Sequence, residues 1–245
     1  MITKIILGDL KMGENLENKI FSRREVLKNA GRATAGLAIA GVVPSLLTAC
    51  SNEPASKEIP SKEVLSYEYK QASKDAPEFP FPYQKLDVAT TQERAYASFF
   101  NKGGCCVAVA DGIIGQLADN AGYPFNQIPI DAFKIGAGGF GAASLCGSLA
   151  GGARAISILV PPEDAPTLVA ELFAFYKETA LPIYQPEIKS ETVIANSVNC
   201  EDSVGQFIAK TGYAMADPER KARCAGVAAD CAGKTVELLN AYYGV

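Results

Sequence analysis

The sequence feature that most constrains the fold is a glycine-rich run at residues 136–152, which holds seven glycines in seventeen residues and no charged side chain. Each glycine inside a helix costs about 1 kcal/mol relative to alanine, so glycines at this density are expected to serve close packing or unusual backbone angles. Cys146 lies near the middle of the run. We therefore interpret the run as a buried segment of glycine and alanine that presents Cys146 to other cysteines.

The other cysteines of the predicted helical body are all distant from Cys146 in the sequence. They are Cys105, Cys106, Cys200, Cys224 and Cys231. No two cysteines have the Cys-x-x-Cys spacing, so a site that several of them share must be assembled from separate segments. The chain contains no histidine, which removes the commonest general base, the commonest zinc ligand and the axial ligand of a c-type haem. Any chemistry must rest on cysteines, carboxylates, tyrosines, lysines or a bound cofactor.

The spacing of apolar residues predicts a mainly helical body at residues 92–245. From Cys106 to Leu117 the apolar side chains follow a helical stripe, which places Cys106 at the N-terminal end of a helix and on its buried face. Cys105 points about 100° away from that face, so we rank it second. A helix N-terminus lowers the pKa of a thiol and favours the thiolate. Cys106 is therefore the predicted redox residue of this helix.

Two later helices are predicted to carry the other cysteines. Cys200 lies at the start of one, and a long helix from Pro218 contains Cys224 and Cys231. These last two cysteines share one helix face, but about 10 Å of helix separates them, which is too far for a disulfide. Residues 155–160 are the one segment that fits either a strand or the end of a helix. The predicted fold class is thus mainly α, a compact multi-helix domain.

The N-terminal segment has the features of an export signal. Arg23 and Arg24 resemble the twin-arginine export motif, and the apolar run that follows ends in a Leu-Thr-Ala-Cys sequence that looks like a lipobox. In that motif the cysteine, here Cys50, becomes the lipidated N-terminus. The predicted regions are an export signal at 1–49, a lipidated tether rich in proline, serine and charge at 50–91, and a helical cysteine-containing domain at 92–245.

These features also predict the cellular location of the protein and its partners. After export by the twin-arginine machinery, it is expected to be anchored through lipidated Cys50 to the outer face of the cytoplasmic membrane, or to lie in the periplasm. A redox partner protein is a further expected partner. The chain has a net charge of −4, and its first 49 residues carry an excess of basic side chains. The body is therefore acidic, which argues against nucleic acid as a partner.

The order of the cysteines resembles that of a known family, the redox-active proteins named for the pattern C, GCAxxG, C, C. The residues that carry the resemblance are Cys106, Cys146, Gly147, Gly151, Cys200 and Cys224. The split-Soret cytochromes c are similar in this region, about residues 92–243. The resemblance implies a redox role for these four cysteines. The central motif departs from the pattern because Leu145 precedes the cysteine, and without a Cys-x-x-Cys-His sequence no covalent c-type haem is expected.

The cysteines are compatible with more than one chemistry. Four thiolates suit an iron–sulfur cluster or another thiolate-bound metal such as zinc, and the same thiols can alternatively cycle between dithiol and disulfide. Either would serve electron transfer, and whether the protein is also an oxidoreductase enzyme stays open. A structural or binding lipoprotein with static disulfides is the alternative. We expect Cys106, Cys146 and Cys200 to form one cluster with Cys224 or Cys231 as its fourth member, and all five are candidate metal ligands.

The glycine run also permits a dinucleotide-binding interpretation. Gly136, Gly138 and Gly141 have the spacing of the phosphate-binding fingerprint of nucleotide-dependent oxidoreductases. That fingerprint needs a strand before the glycines and further parallel strands after them. A parallel sheet would support this interpretation, and an all-helical domain would remove it.

Overall fold

Residues 77–245 are described by the computed structural model, and helices account for most of this range. The α-helices are α1 (Val88–Ser98), α2 (Cys105–Ala110), α3 (Gln116–Ala121), α4 (Gly147–Leu159), α5 (Ala165–Glu178), α6 (Cys200–Thr211) and α7 (Pro218–Tyr243). In place of strands, the described residues contain two isolated antiparallel bridges. The prediction of a mainly helical domain is confirmed. None of the helices in this range is both long enough and apolar enough to cross a membrane.

A helix that is buried on all sides lies at the centre of the fold. α2 continues through a π-helical turn at Asp111–Gly115 into α3, and every residue from Cys105 to Leu117 is buried. The elements that enclose it are α1, α4, α7 and a short 3₁₀ segment at Ile130–Gly136. Since apolar burial stabilises folding roughly in proportion to area, this helix is a major source of the stability of the domain.

Asp111 is the only charged residue in that buried stretch. Its carboxylate accepts hydrogen bonds from the Arg94 guanidinium at 3.1 and 3.2 Å and from the Ser98 hydroxyl. A paired guanidinium offsets part of the cost of removing a carboxylate from water. These contacts join α1 to the π-helical turn.

The C-terminal helix α7 packs against α1, α2, α4 and α5. Its buried face runs from Ala222 to Leu239. Cys231 lies near the middle of this face and is fully buried, whereas Cys224 lies about two turns earlier and is partly exposed. The two cysteines of this helix therefore occupy different environments.

The segment before α1 crosses the surface of the helical domain. The Phe81 backbone N–H donates a hydrogen bond to the Ile158 carbonyl at 3.0 Å, and the Tyr83 hydroxyl donates one to Asn240 at 2.8 Å. Leu86 is buried. Packing therefore begins ahead of residue 92, and the first helix starts at Val88.

The glycine run divides into two parts with different roles. From Gly138 to Gly141 the backbone is left-handed, with φ between 59° and 71°, and this part is largely exposed. The second part, from Gly147, is the buried start of α4. The interpretation of the whole run as a buried segment is thus correct only for the second part. Phe140 takes the left-handed conformation with a side chain, at a cost of about 1–2 kcal/mol.

The dinucleotide-binding interpretation is wrong. Gly136 ends a 3₁₀ segment, and Gly138 and Gly141 lie in the left-handed turn, so no strand leads into the glycines. Residues 155–160, the candidate strand, lie in α4 up to its last residue, Leu159. The described range contains no parallel sheet whose edge could receive a dinucleotide.

We predict that Gly151 and Gly205 respond to alanine in opposite directions. A Cβ on Gly151 would lie 2.7 Å from the Cys106 carbonyl oxygen and 2.9 Å from the Val109 Cβ, so the Gly151→Ala variant must separate α4 from α2. Its free energy of unfolding should fall by about 1–3 kcal/mol in urea denaturation. Gly205 lies in α6 with open space around it, and Gly205→Ala should raise stability by about 0.5–1 kcal/mol. Equal effects would contradict the close packing of α2 and α4.

Candidate functional site

Three of the cysteines lie at the starts of helices. Cys105 is the first residue of α2, Cys200 is the first residue of α6, and Cys146 directly precedes α4 as its N-cap. The first turn of a helix has unpaired N–H groups and the positive end of the helix dipole. These positions favour the thiolate over the thiol. The prediction that Cys200 begins a helix is confirmed.

A short antiparallel bridge holds the segment of Cys146 beside that of Cys200. Leu145 pairs with Asn199 across this bridge. The Cys146 N–H donates a hydrogen bond to the Val198 carbonyl at 2.9 Å, and the Cys200 N–H donates one to the Ser144 carbonyl at 2.6 Å. The starts of α4 and α6 are therefore fixed next to each other by the backbone.

Four cysteines line one small cavity between these helix starts and α7. They are Cys105, Cys146, Cys200 and Cys224. The cavity has a volume of about 20 Å³, which is room for about one water molecule, and its remaining lining consists of Ser148, Tyr176, Val204, Arg223 and Val227. All six cysteines of the described range are free thiols.

The other two cysteines do not line this cavity. Cys106 faces Gly136, where a Cβ would lie 2.7 Å from the Cys106 sulfur, and it interacts with Arg154. Cys231 is fully buried in α7, and burial raises the pKa of its thiol. The structure thus places Cys105 on the cavity where the sequence analysis expected Cys106, and it places Cys224 there in preference to Cys231. The sequence ranked Cys106 above Cys105, but it is Cys105 that lines the cavity. Because α2 is buried on every side, the apolar stripe cannot identify the face that meets the cavity.

Cys146 is the cysteine that the site favours as a thiolate. A hydrogen bond from the Cys105 thiol, with smaller contributions from Tyr176 and Ser148, lowers the pKa of Cys146 to about 6 although burial opposes the charge. The same hydrogen bond and burial raise the pKa of Cys105. Within this pair the negative charge is therefore favoured on Cys146 and the proton on Cys105.

This pKa also links Cys146 to folding stability. The pKa of Cys146 in the folded chain lies below its ordinary value of 9.0. The thiolate therefore contributes its full stabilisation above about pH 9, and that stabilisation is lost as the pH falls through about 6. Cys200 behaves differently, because burial and the neighbouring cysteines raise its pKa to about 11.

Polar groups without a hydrogen-bond partner surround the same sulfur atoms. The Ser148 hydroxyl, the Tyr176 hydroxyl and the Nε atom of Arg223 are buried and form no hydrogen bond of ordinary geometry. The two hydroxyls nevertheless lie close enough to the Cys146 sulfur to lower its pKa. Unpaired buried donors are uncommon in folded proteins and are costly unless a charged or polar group meets them.

Two guanidinium groups lie beside the fourth cysteine. Nη1 of Arg220 is 3.8 Å from the Cys224 sulfur, and Nη1 of Arg223 is 3.9 Å from it. Arg223 is further held by a hydrogen bond from its Nη2 to the Ser203 hydroxyl at 2.6 Å. Positive charge at this side of the cavity offsets negative charge on the sulfur atoms.

The cysteines of the cavity have the donor chemistry of a soft metal site. Thiolate ligands select iron–sulfur clusters, zinc and copper(I) over hard cations. Among residues 77–245, no three cysteine or acidic side chains already surround a common point at metal-ligand distance. A shared metal would therefore require Cys105, Cys146, Cys200 and Cys224 to turn further into the cavity.

Comparison with known proteins places the chain in a family. The family described as "Putative redox-active protein (C_GCAxxG_C_C)" matches residues 105–238, more than half of the chain, so the protein belongs to this redox-active family. The split-Soret cytochrome c of Desulfovibrio desulfuricans (strain ATCC 27774 / DSM 6949 / MB) is 30% identical over 165 residues. That match covers 64% of this chain and 59% of the relative, so the chain spans less than two thirds of the relative's length.

The fold has a match among solved structures. A structure of the split-Soret cytochrome c from Desulfovibrio desulfuricans ATCC 27774, described as having a novel iron centre, aligns with a TM-score of 0.65 and 28% identity. The alignment covers 67% of this chain and 72% of the other. The prediction of a mainly helical domain with this family relationship is confirmed.

Several residues of the cavity had no distinctive signal in the sequence. Tyr176 belongs to the apolar face of an ordinary amphipathic helix, and Ser148 lies within the glycine run. Arg223 precedes Cys224, and a charged residue at that position is usually expected to face solvent, yet it is buried. The adjacency of Cys105 and Cys106 was the one signal that pointed to Cys105.

We predict that removing the Tyr176 hydroxyl makes Cys146 less acidic. In the Tyr176→Phe variant the thiolate loses a polar contact, so the thiolate absorbance in the ultraviolet should titrate about one pH unit above the wild-type midpoint near 6. Tyr123→Phe, which removes an exposed hydroxyl outside the cavity, should titrate like the wild type. An unchanged midpoint in Tyr176→Phe would show that Tyr176 does not influence this thiolate.

Proposed function

We propose that the protein is an exported, lipid-anchored electron-transfer protein whose redox centre is formed by Cys105, Cys146, Cys200 and Cys224. The observation that supports this most directly is that four cysteines from four helices line one cavity. Membership in the redox-active family agrees with electron transfer. The expectation of Cys106 as a member of this centre is replaced by Cys105, because Cys106 is not among the residues that line the cavity.

In this proposal the four thiolates hold iron. Iron bound by sulfur ligands would supply one-electron transfer. The relative with the matching fold is described as having an iron centre, and the unpaired donors of Ser148, Tyr176 and Arg223 provide polar contacts for added negative charge. Cys146 is the cysteine that most readily becomes a thiolate, whereas the raised pKa values of Cys105 and Cys200 mean that these two thiols must lose their protons on binding.

Thiol–disulfide exchange is the second candidate, and the contact between Cys105 and Cys146 favours it. The Cys146 thiolate would attack a disulfide of a partner protein, form a mixed disulfide and release a partner thiolate. Cys105 would then lose its proton and attack Cys146, which leaves an internal disulfide and a reduced partner. Cys146 is only 7% exposed, so a partner disulfide has little access to its sulfur. For this reason we favour the iron centre over the exchange reaction. The six cysteines of the described range are free thiols, so they do not support the alternative of static disulfides.

The proposed location depends on the N-terminal segment, which lies outside the described residues. Arg23 and Arg24 form the twin-arginine motif, and Cys50 ends the lipobox. The twin-arginine machinery would carry the folded, loaded protein across the membrane, and lipidated Cys50 would then anchor it on the outer face of the cytoplasmic membrane or in the periplasm. A redox protein in the same compartment would exchange electrons with it, and nucleic acid is not an expected partner.

We predict that iron depends on Cys105 but not on Cys106. Protein purified without oxygen should contain iron and show a broad visible absorption band, and Cys105→Ala should lose most of both because a ligand is removed. Cys106→Ala is the matched control, since it changes the adjacent buried cysteine outside the cavity and should keep both. The measurements are the visible spectrum and elemental analysis for iron and zinc.

The remaining cysteines extend that comparison. Cys146→Ala should behave like Cys105→Ala, and Cys231→Ala should behave like the wild type. Zinc in place of iron would leave a thiolate metal site without electron transfer. If protein purified without oxygen contains no metal and has a disulfide between Cys105 and Cys146, thiol–disulfide exchange becomes the favoured function.

We predict separate effects for the export and lipidation motifs. Replacing both Arg23 and Arg24 by lysine should keep the protein in the cytoplasm, because the twin-arginine pathway requires the pair. Arg32→Lys is the matched control outside the pair and should be exported normally. Cys50→Ala should be exported but recovered in the soluble fraction after cell fractionation. Export of the double lysine variant at the wild-type level would contradict the proposed route.

A further inference from the structure

A second concave site lies outside the cysteine cavity and shares no lining residue with it. It is a groove of about 470 Å³ between α1, the π-helical turn at Phe99–Gly103 and the loop that follows α5. Its walls include three aromatic residues, Tyr96, Phe100 and Tyr184. This volume lies within the range of small-molecule sites in proteins.

The three rings are inclined to one another and enclose the groove from different directions. The ring centroids of Tyr96 and Phe100 are 5.5 Å apart with an angle of 65° between the ring planes, and those of Tyr96 and Tyr184 are 5.7 Å apart with an angle of 60°. Each pair is an edge-to-face contact, which covers one face of one ring and leaves the remaining faces uncovered by that pair. An aromatic face carries partial negative charge and attracts cations within about 6 Å of the ring centroid.

Two carboxylates lie at the groove beside these rings. Glu93 and Glu187 both line it and are exposed. Burial is the main cause that raises the pKa of Tyr96, and the negative charge of Glu187 raises it further. In the same way, burial and then the charge of Glu93 raise the pKa of Tyr184. Within residues 77–245 neither carboxylate forms an ion pair. The groove therefore combines negative charge with aromatic faces.

No cation of the described range occupies the faces of these rings. The guanidinium and ammonium groups that stack on aromatic rings in this range lie over other residues, namely Phe133, Phe140, Phe207 and Phe175. Phe100 is exposed and Tyr184 is half-buried, so these two rings are accessible to a cation that the described residues do not provide, whereas Tyr96 is buried behind them.

The wall that carries Tyr184 is fixed before any ligand binds. The buried Asp230 carboxylate accepts hydrogen bonds from the Ile183 N–H at 2.7 Å and from the Tyr184 N–H at 3.0 Å. Gly226, one turn earlier in α7, leaves no space for a Cβ against the Tyr184 carbonyl oxygen. The loop is thus held closely against α7. A wall that is already ordered reduces the entropy lost on binding.

We propose that this groove binds a small organic cation of the quaternary ammonium class. The groove is too large for a bare metal ion, and aromatic faces offer no lone pairs for coordination. A cation with methyl groups on nitrogen has diffuse charge and loses little hydration energy when it contacts the rings, while Glu93 and Glu187 supply the opposite charge. This inference does not depend on the redox function, because no cysteine lines the groove.

The test is a calorimetric titration of the full-length protein with choline. One choline per chain should bind, and the uncharged analogue dimethylbutanol, in which carbon replaces the quaternary nitrogen, should bind at least about tenfold more weakly. Phe100→Ala and Glu187→Gln should each weaken choline binding by about tenfold, because each removes one attractive contact of the cation. Both residues are exposed, and neither belongs to the buried core.

Two variants outside the groove serve as matched controls. Phe79 is 50% exposed, close to the 48% of Phe100, and Phe79→Ala should bind choline like the wild type. Glu171→Gln removes an exposed carboxylate on α5 and should also have no effect. The proposal is overturned if choline shows no saturable binding, if dimethylbutanol binds equally well, or if Phe100→Ala and Glu187→Gln bind like these controls.

Discussion

The site depends on the close approach of α4 to α2, which brings two helix starts into contact. A Cβ on Gly147 would lie 2.5 Å from the Cys105 sulfur and 2.5 Å from the Gly136 carbonyl oxygen, so only glycine leaves room there for the thiol. Gly151, one turn later, lies against the backbone of α2 in the same way. The glycines that follow Cys146 thus have a packing role that allows the Cys105 and Cys146 sulfurs to meet.

The electrostatics of the cavity follow from this geometry. One buried thiol donates to its neighbour, so the proton stays on Cys105 and the negative charge lies on Cys146. Two guanidinium groups lie beside Cys224, on the other side of the cavity, and reduce the repulsion among sulfur atoms. A site with this distribution of charge holds a reactive sulfur in a nearly dry environment, which suits either a metal ligand or a nucleophile. Arg223 and Asp230 lie on the same helix, so α7 supports both this cavity and the aromatic groove.

The sequence predicted much of the fold because periodic apolar residues and helix-start residues are local signals. The helical class, the helix start at Cys200 and the family relationship came from such signals. The choice between Cys105 and Cys106 could not be made from such signals, because a helix buried on all sides has no single apolar face. The left-handed turn at Gly138 to Gly141 was also missed, since glycine density does not distinguish a turn from close packing. Tyr176 and Arg223 acquire their roles only through tertiary contacts.

The central claim is that four sulfur atoms from separate helices hold one iron redox centre. Iron K-edge X-ray absorption of full-length protein purified without oxygen tests it most directly, because the spectrum reports the atoms bound to the metal. The account predicts an iron environment dominated by sulfur ligands in the wild type. Iron bound only by oxygen or nitrogen, or protein that contains no iron, would contradict it.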